Sequence, residues 1–159
     1  MTIQIDSREH QKERERIEAQ FDALGVKHFS SKLYIADYMN LDNPRHVVDR
    51  KKNLQELCGN VCQQHERFRN ELVRAQEAGI HVTILCEHGG NIKTLEDVFF
   101  WDNPRLKTSP KALTGERLYR ILWTISKKYD VDFQFCDKRS TGKRIVEILG
   151  DSEDHESRD

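Results

Sequence analysis

Residues 80–86 read Ile80, His81, Val82, Thr83, Ile84, Leu85 and Cys86, bounded by Gly79 before and Gly89-Gly90 after. The run is β-branched, almost continuously apolar and too short for a helix, so it predicts a strand buried on both faces at the centre of a sheet. Helical patterns flank it. Residues 53–78 carry Phe68, Leu72 and Ala75 at i, i+4, i+7, with a break expected around Gly59 and a stop at Gly79. Beyond an irregular stretch over 88–113, with an Asn103-Pro104 turn, Thr114 is placed to cap a helix over 115–128 whose apolar side is Leu118, Ile121, Leu122 and Ile125. Residues 131–136 alternate as a strand and 141–149 read as a last helix.

Upstream, residues 3–6 predict a short strand and 10–24 a helix striped by Ile17, Phe21 and Leu24 and closed by Gly25. Residues 26–51 predict a strand meander: two short strands meeting near Ser30-Ser31, the second running Leu33–Tyr38 with Asp37 on the face of Leu33 and Ile35. A turn at Asn43-Pro44 and a strand over His46–Lys51 complete it. Strands alternating with helices in this order predict an α/β sandwich with a mixed central sheet and helices on both faces.

The chain has 159 residues, suited to one domain over 1–150, with residues 151–159 (DSEDHESRD) expected to be an acidic disordered tail. A net charge of −1 excludes a bulk basic nucleic-acid binder but leaves room for a local basic patch. No apolar run reaches membrane-span length and the amino terminus has no signal pattern, so no membrane partner and a cytoplasmic location are expected. Cys58, Cys62, Cys86 and Cys136 form no CxxC pair, and with His65 and His88 they match no standard zinc spacing. Free thiols are expected.

Asp6, Asp37 and Asp49 fall at or near strand ends. Residues two apart on a strand share a face, so Asp49 and Lys51 would share one small site. Carboxylates suit Mg²⁺, a hard cation, and a lysine beside them can orient or deprotonate a water or stabilise charge on a phosphate. Two carboxylates close together are costly without a cation between them, so such a pair marks a metal site. The competing reading of Asp49, Arg50 and Lys51 is a solvated charge run on an edge strand.

The wider set of motifs resembles the XPF-type nuclease domain, a branch of the PD-(D/E)XK superfamily. The matching stretches are Ile3, Gln4, Ile5, Asp6, Ser7, Arg8, Glu9; then Ala36, Asp37, Tyr38; then Val48, Asp49, Arg50, Lys51, followed by Leu54, Gln55, Glu56 and Leu57. The family pattern is Asp-X-Arg-Glu, Gly-Asp-Tyr, and Glu-Arg-Lys with a following Asp-Leu. Ala36 replaces the glycine, a change with little expected chemical effect. Asp49 replaces the glutamate with one methylene less reach. Glu56 stands one residue after the last acid's place, where Gln55 sits.

The resemblance implies a restriction-endonuclease-like three-layer sandwich and a DNA endonuclease acting with Mg²⁺ or Mn²⁺, with branched or junction DNA of recombination or repair, bacterial or phage, as the expected substrate. It implies Asp37 and Asp49, with Asp6, as metal ligands and Lys51 positioning the attacking water. Arg8 would lie near the scissile phosphate, and Arg50 would contact phosphate or salt-bridge Glu9. Glu9 and Glu56 would support the site, and Lys52, Lys138, Arg139, Lys143 and Arg144 would form a DNA-binding rim. Asp6, Arg8 and Glu9 also read as a capping and ion-pair cluster at the start of the first helix.

A helix-hairpin-helix module, common in the family, has no room after residue 150, so a homodimer or a partner protein is expected. The alternative class is a catalytically silent nuclease fold that binds DNA or protein, and an RNA nuclease is a third reading. Ser140, Thr141, Gly142 and Lys143 resemble the end of a P-loop, but Asp137 stands where its first glycine belongs, which excludes nucleotide binding there. Phe99, Phe100 and Trp101 are expected to tuck onto the core and His81 to be a sheet histidine.

Overall fold

A computed structural model describes residues 1–156, with side chains to residue 150. The six strands among these residues form one mixed sheet in the order β2-β1-β3-β4-β5-β6. They are β1 (Thr2–Ile5), β2 (Lys27–Ser30), β3 (Tyr38–Asn40), β4 (Asn43–Lys51), β5 (His81–Cys86) and β6 (Asp132–Phe135). The helices are α1 (Gln11–Ala23), α2 (Leu54–Cys62), α3 (His65–Glu77), α4 (Gly115–Tyr129) and α5 (Thr141–Glu156). The expected tail begins inside the span of α5. Side chains past 150 and all of 157–159 lie outside the described residues.

The run expected at the centre is β5, an interior strand that pairs in parallel with both β4 and β6 but stands next to the β6 edge rather than at the middle of the sheet. Its alternate residues enter two separate cores. Ile84 and Cys86 join α2, α3 and α4 through Leu54, Leu57, Phe68, Leu72, Leu118 and Leu122. Leu85 joins α1 and α5 through Ile17, Phe21, Ile145 and Leu149. This is the three-layer sandwich. Among the described residues no helix is long and apolar enough to cross a membrane.

Several expectations change in detail. Residues 34–37 form no strand: they bend, and β3 starts only at Tyr38. Nor is 26–40 a meander, because β2 pairs in parallel with β1 through the α1 crossover. Pro44 lies inside β4, and the turn sits at Leu41-Asp42 beside a bulge at Met39/Asn40. The helical break falls at Gln63-Gln64, not Gly59. Thr114 does cap α4, accepting from the Arg117 N–H at 3.2 Å. Cys86 and Cys136 are buried free thiols, whereas Cys62 is exposed.

At the far end of β4 and β5 from the Lys51 end, His46 Nε2 lies 2.8 Å from Thr83 Oγ1, and its ring meets that of His81 at 5.0 Å. Burial, reinforced by His81, pulls the His46 pKa down to about 4 from 6.5. The unfolded chain therefore takes up this proton first as pH falls, so stability present above 6.5 is lost on the way down to about 4. Partial exposure trims the effect, and His46→Gln should abolish about 1 kcal/mol of the acid sensitivity between pH 7 and pH 5. Urea midpoints of both proteins at the two pH values check this; equal losses in both would contradict it.

Candidate active site

The backbone gathers the site before any side chain does. The Asp37 N–H donates to the Val48 carbonyl at 3.1 Å, and the Asp37 carbonyl accepts from the Asp6 N–H at 2.8 Å. This ties the loop before β3 between β1 and β4. Asp37 Oδ2 also accepts the Arg50 N–H at 2.8 Å. Ala36, just before it, is held at φ 66°. That left-handed conformation is where a glycine is at ease and where a Cβ costs about 1 kcal/mol, so the family's glycine here is a backbone requirement rather than a neutral choice. We expect Ala36→Gly to raise stability by about 0.5 kcal/mol, against the usual loss for such a change. A thermal melt showing destabilisation would contradict it.

Alternation along β4 does the rest. Asp49 and Lys51 point with Val47 to the α2/α3 side, as the spacing predicts, and Arg50 points with Val48 to the α1/α5 side. Lys51 Nζ sits 3.2 Å from Asp49 Oδ2 and 5.6 Å from the centre of the Phe68 ring. Burial alone would push its pKa down, but Asp49, Glu56 and Asp37 outweigh that and hold it above the ordinary value. Lys51 therefore remains a cation, suited to stabilising negative charge rather than to abstracting a proton from water.

The Asp37 and Asp49 side chains line one cleft, and the charge of each bears on the other. Burial, then the charges of Asp49 and Glu9, drive the Asp37 pKa well above the carboxylate range, against the opposing Arg50 N–H. Two buried carboxylates that bear on each other are relieved by a proton or a cation, and Lys51 supplies one cation on the Asp49 side. Among the described residues no three His, Cys, Asp or Glu side chains form a ready-made metal cage. A pair fits Mg²⁺ or Mn²⁺ chemistry, in which one or two carboxylates are completed by water and phosphate.

The pair opens into a cleft of about 470 Å³, lined also by Asp6, Arg8, Glu9, Lys32, Tyr34, Arg67, Glu71 and Arg74. On α3, Arg67, Glu71 and Arg74 form one i, i+4, i+7 row beside the buried Phe68, Leu72, Ala75 row. The pKa of the Glu71 carboxyl is raised by burial and by Asp49, against the opposing charge of Lys51. Arg8, Lys32, Arg67 and Arg74 are exposed, so cations ring a floor of acids.

In sequence and in structure these features converge on one family. The ERCC4 domain family matches residues 5–149. The chain belongs to the ERCC4 domain family. The ERCC4 domain fold is also that of XPF from Aeropyrum pernix, at TM-score 0.67 and 18% identity, with 96% of this chain and 65% of that chain covered. The same archaeal protein in complex with DNA matches at TM-score 0.66 and 19% identity, over the same shares of the two chains. This ERCC4 domain thus spans 65% of the length of those relatives. No curated protein matches it.

The other expected site residues of the ERCC4 domain are placed as follows. Arg50 does not face the cleft. Its guanidinium bonds Glu9 Oε1 at 2.9 Å and Glu87 Oε1 at 2.5 Å with 8% of the side chain exposed, so the salt-bridge option holds and the phosphate-contact option falls. Asp6 lines the cleft, but its Oδ1 accepts the Leu33 N–H at 3.0 Å and its Oδ2 the Arg8 Nε at 3.0 Å. It anchors the loop ahead of Ala36, not the start of α1. Arg8 also bonds the Leu33 carbonyl at 2.9 Å while remaining largely exposed at the rim.

Glu56 accepts from the Lys52 N–H at 3.4 Å while its own N–H bonds Asn53 Oδ1, an arrangement close to a capping box that serves α2. Lys52 is exposed beyond β4 and does not line the cleft. Lys138, Arg139, Lys143 and Arg144 also stand off it: they flank the start of α5, with Arg139 paired to Asp137 and Arg144 to Glu147 and Gln134.

The sequence reading missed Lys32, Arg67, Glu71 and Arg74, and missed the role of Glu87. Glu87 follows an apolar strand directly, a position where an acid needs buried partners, and that was the available signal. Of the expected aromatic cluster, Phe100 is 83% exposed, whereas Trp101 packs on His88.

Proposed function

We propose that this ERCC4 domain is a divalent-metal-dependent DNA endonuclease that hydrolyses phosphodiester bonds. The observation that carries the reading is the placement of Asp37 and Asp49 together in a cleft rimmed by exposed cations, with the buried Lys51 behind them against Asp49. Splayed or salt-bridged carboxylates would favour a silent binding fold; Asp49 is salt-bridged to Lys51, and it is the buried Asp37 beside it, raised by burial and by the Asp49 charge, that favours an enzyme. Asp37 and Asp49 would hold Mg²⁺ or Mn²⁺. The metal would supply Lewis acidity that draws charge from the phosphate and activates water.

The protein's own groups do the remainder. Exposed Arg8, Arg67 and Arg74 attract and hold the phosphate backbone without reading sequence. Lys51, fixed by Asp49 and Phe68, presents positive charge to the developing negative charge. The buried Glu9–Arg50–Glu87 chain ties β4, on the face opposite Asp49, to the segments after β1 and β5. Branched or junction DNA of recombination or repair in a bacterial or phage cytoplasm is the proposed substrate, cut by a homodimer or with a partner protein. The solved relative held in complex with DNA supports the choice of DNA.

Cleavage of labelled linear, flapped and four-way-junction DNA, with an RNA control, in Mg²⁺, Mn²⁺ or EDTA tests this. Metal-dependent cutting, greatest on a branched DNA, is expected, and Lys51→Met should slow it by roughly 10²-fold or more. Binding of DNA with no cutting in any metal would favour the silent reading.

A further inference from the structure

We propose that Tyr34 is a stacking platform that holds an unpaired base of the substrate at the mouth of the cleft. The proposal rests on the nuclease reading of the cleft and names the part of a branched DNA that the cleft engages. Tyr34 lies between Leu33 and Ile35, which are both buried, and is itself 67% exposed. It therefore contributes little to the core, and its outward placement follows from its neighbours' inward one.

Single exposed aromatics are ordinary on protein surfaces. This one differs in what surrounds it. It lines the same cleft as Asp37 and Asp49, two and three residues before the left-handed Ala36 and the reactive carboxylate. The Arg74 guanidinium stands 5.6 Å from its ring centre, which orients the ring and leaves it open to solvent. Lys32 and Arg67 line the same cleft. A planar ring backed by a cation, in a cleft whose exposed charged groups include Arg8, Lys32 and Arg67, matches what single-stranded nucleic acid offers: a π-face to stack and a phosphate on either side. A paired base keeps its faces against its own neighbours, so an unpaired one gains most from this platform. Tyr34 would thus make the site prefer DNA with a single-stranded arm beside the cut.

The test is equilibrium binding in Ca²⁺, read by anisotropy, of a flapped DNA and of a fully paired duplex. The flap carries 2-aminopurine at its first unpaired position, and wild type is compared with Tyr34→Ala and Tyr34→Phe. On the flap, wild type should quench the 2-aminopurine. Tyr34→Ala should lose that quenching and bind about tenfold more weakly, Tyr34→Phe should retain both, and duplex affinity should not change. Tyr34→Ala binding and quenching as wild type does, or weakening flap and duplex equally, would overturn the stacking role and leave the nuclease reading standing. Wild type binding neither DNA would overturn both.

Discussion

Glu87→Ala should cost about 3–5 kcal/mol of stability, a fall in melting temperature of about 10 °C for a domain this size. Glu87 is fully buried at the side chain, and its carboxylate lies 2.5 Å from Arg50 Nη1, 2.5 Å from Arg16 Nη2 and 2.5 Å from Thr141 Oγ1. It therefore links β5, β4, α1 and α5 at one point. Arginine cannot shed its proton to escape burial. With Glu87 gone, Arg50 keeps only Glu9 in a dry setting, while the partly exposed Arg16 keeps Glu13 and the Lys138 carbonyl, and each guanidinium loses a short charged bond. Glu87→Gln, which preserves shape and part of the bonding, should cost roughly 1–3 kcal/mol. Denaturant unfolding of the two variants checks the order. A loss below about 1 kcal/mol for the alanine variant would show that the charges find water on relaxation and that the network is not a structural node.

The carboxylate pair should show the opposite sign. In EDTA at neutral pH, Asp37→Asn relieves a buried carboxyl whose pKa is raised by burial, by Asp49 and by Glu9, and should raise the melting temperature by about 2–4 °C. Wild type should gain about 2–3 kcal/mol in Mn²⁺ at a hundred times its dissociation constant, and the variant should gain almost none.

The pH dependence follows from the same cause. Folded Asp37 takes up its proton at a pH where the unfolded carboxyl, near 3.8, is still ionised. In EDTA this carboxyl therefore adds stability as pH falls through the folded pKa, and the addition is complete at 3.8. Asp37→Asn should lack that contribution, which is read as the difference between the two proteins' melting curves. A variant less stable than wild type in EDTA, or still stabilised by Mn²⁺, would mean that the pair is not a cation site.

How much of this was legible in the sequence depends on the range of the interactions concerned. The β5 run is written in its own residues, and the shared face of Asp49 and Lys51 follows from strand alternation alone. The motifs from Asp6 to Lys51 supplied the family and the pairing of Asp37 with Asp49. Features set by distant pairings were not legible. Nothing local told that β2 would pair with β1 rather than with the segment leading to β3, and so Asp37 was placed on a strand that does not exist. The left-handed Ala36 shows in the sequence only as a family glycine replaced.

The cleft's cations are the clearest case. Arg67, Glu71 and Arg74 read as the solvated side of an amphipathic helix, and only the seating of α3 against β5, which sets that row beside the loop before β3 and Asp49, makes it a cleft wall. The basic cluster at 138–144 was attractive by composition, but α5 belongs to the opposite layer. Arg50 was left between two roles because its partner Glu87 lies 37 positions away.

The most direct test of the central claim is the rate at which wild type and Asp49→Asn, at equal concentration, cut a flapped DNA in Mg²⁺. The account predicts that wild type cuts and stops on addition of EDTA, and that folded Asp49→Asn is slower by roughly 10²- to 10³-fold, the equivalent of several kcal/mol of lost transition-state stabilisation. An Asp49→Asn protein that cuts at the wild-type rate would contradict it.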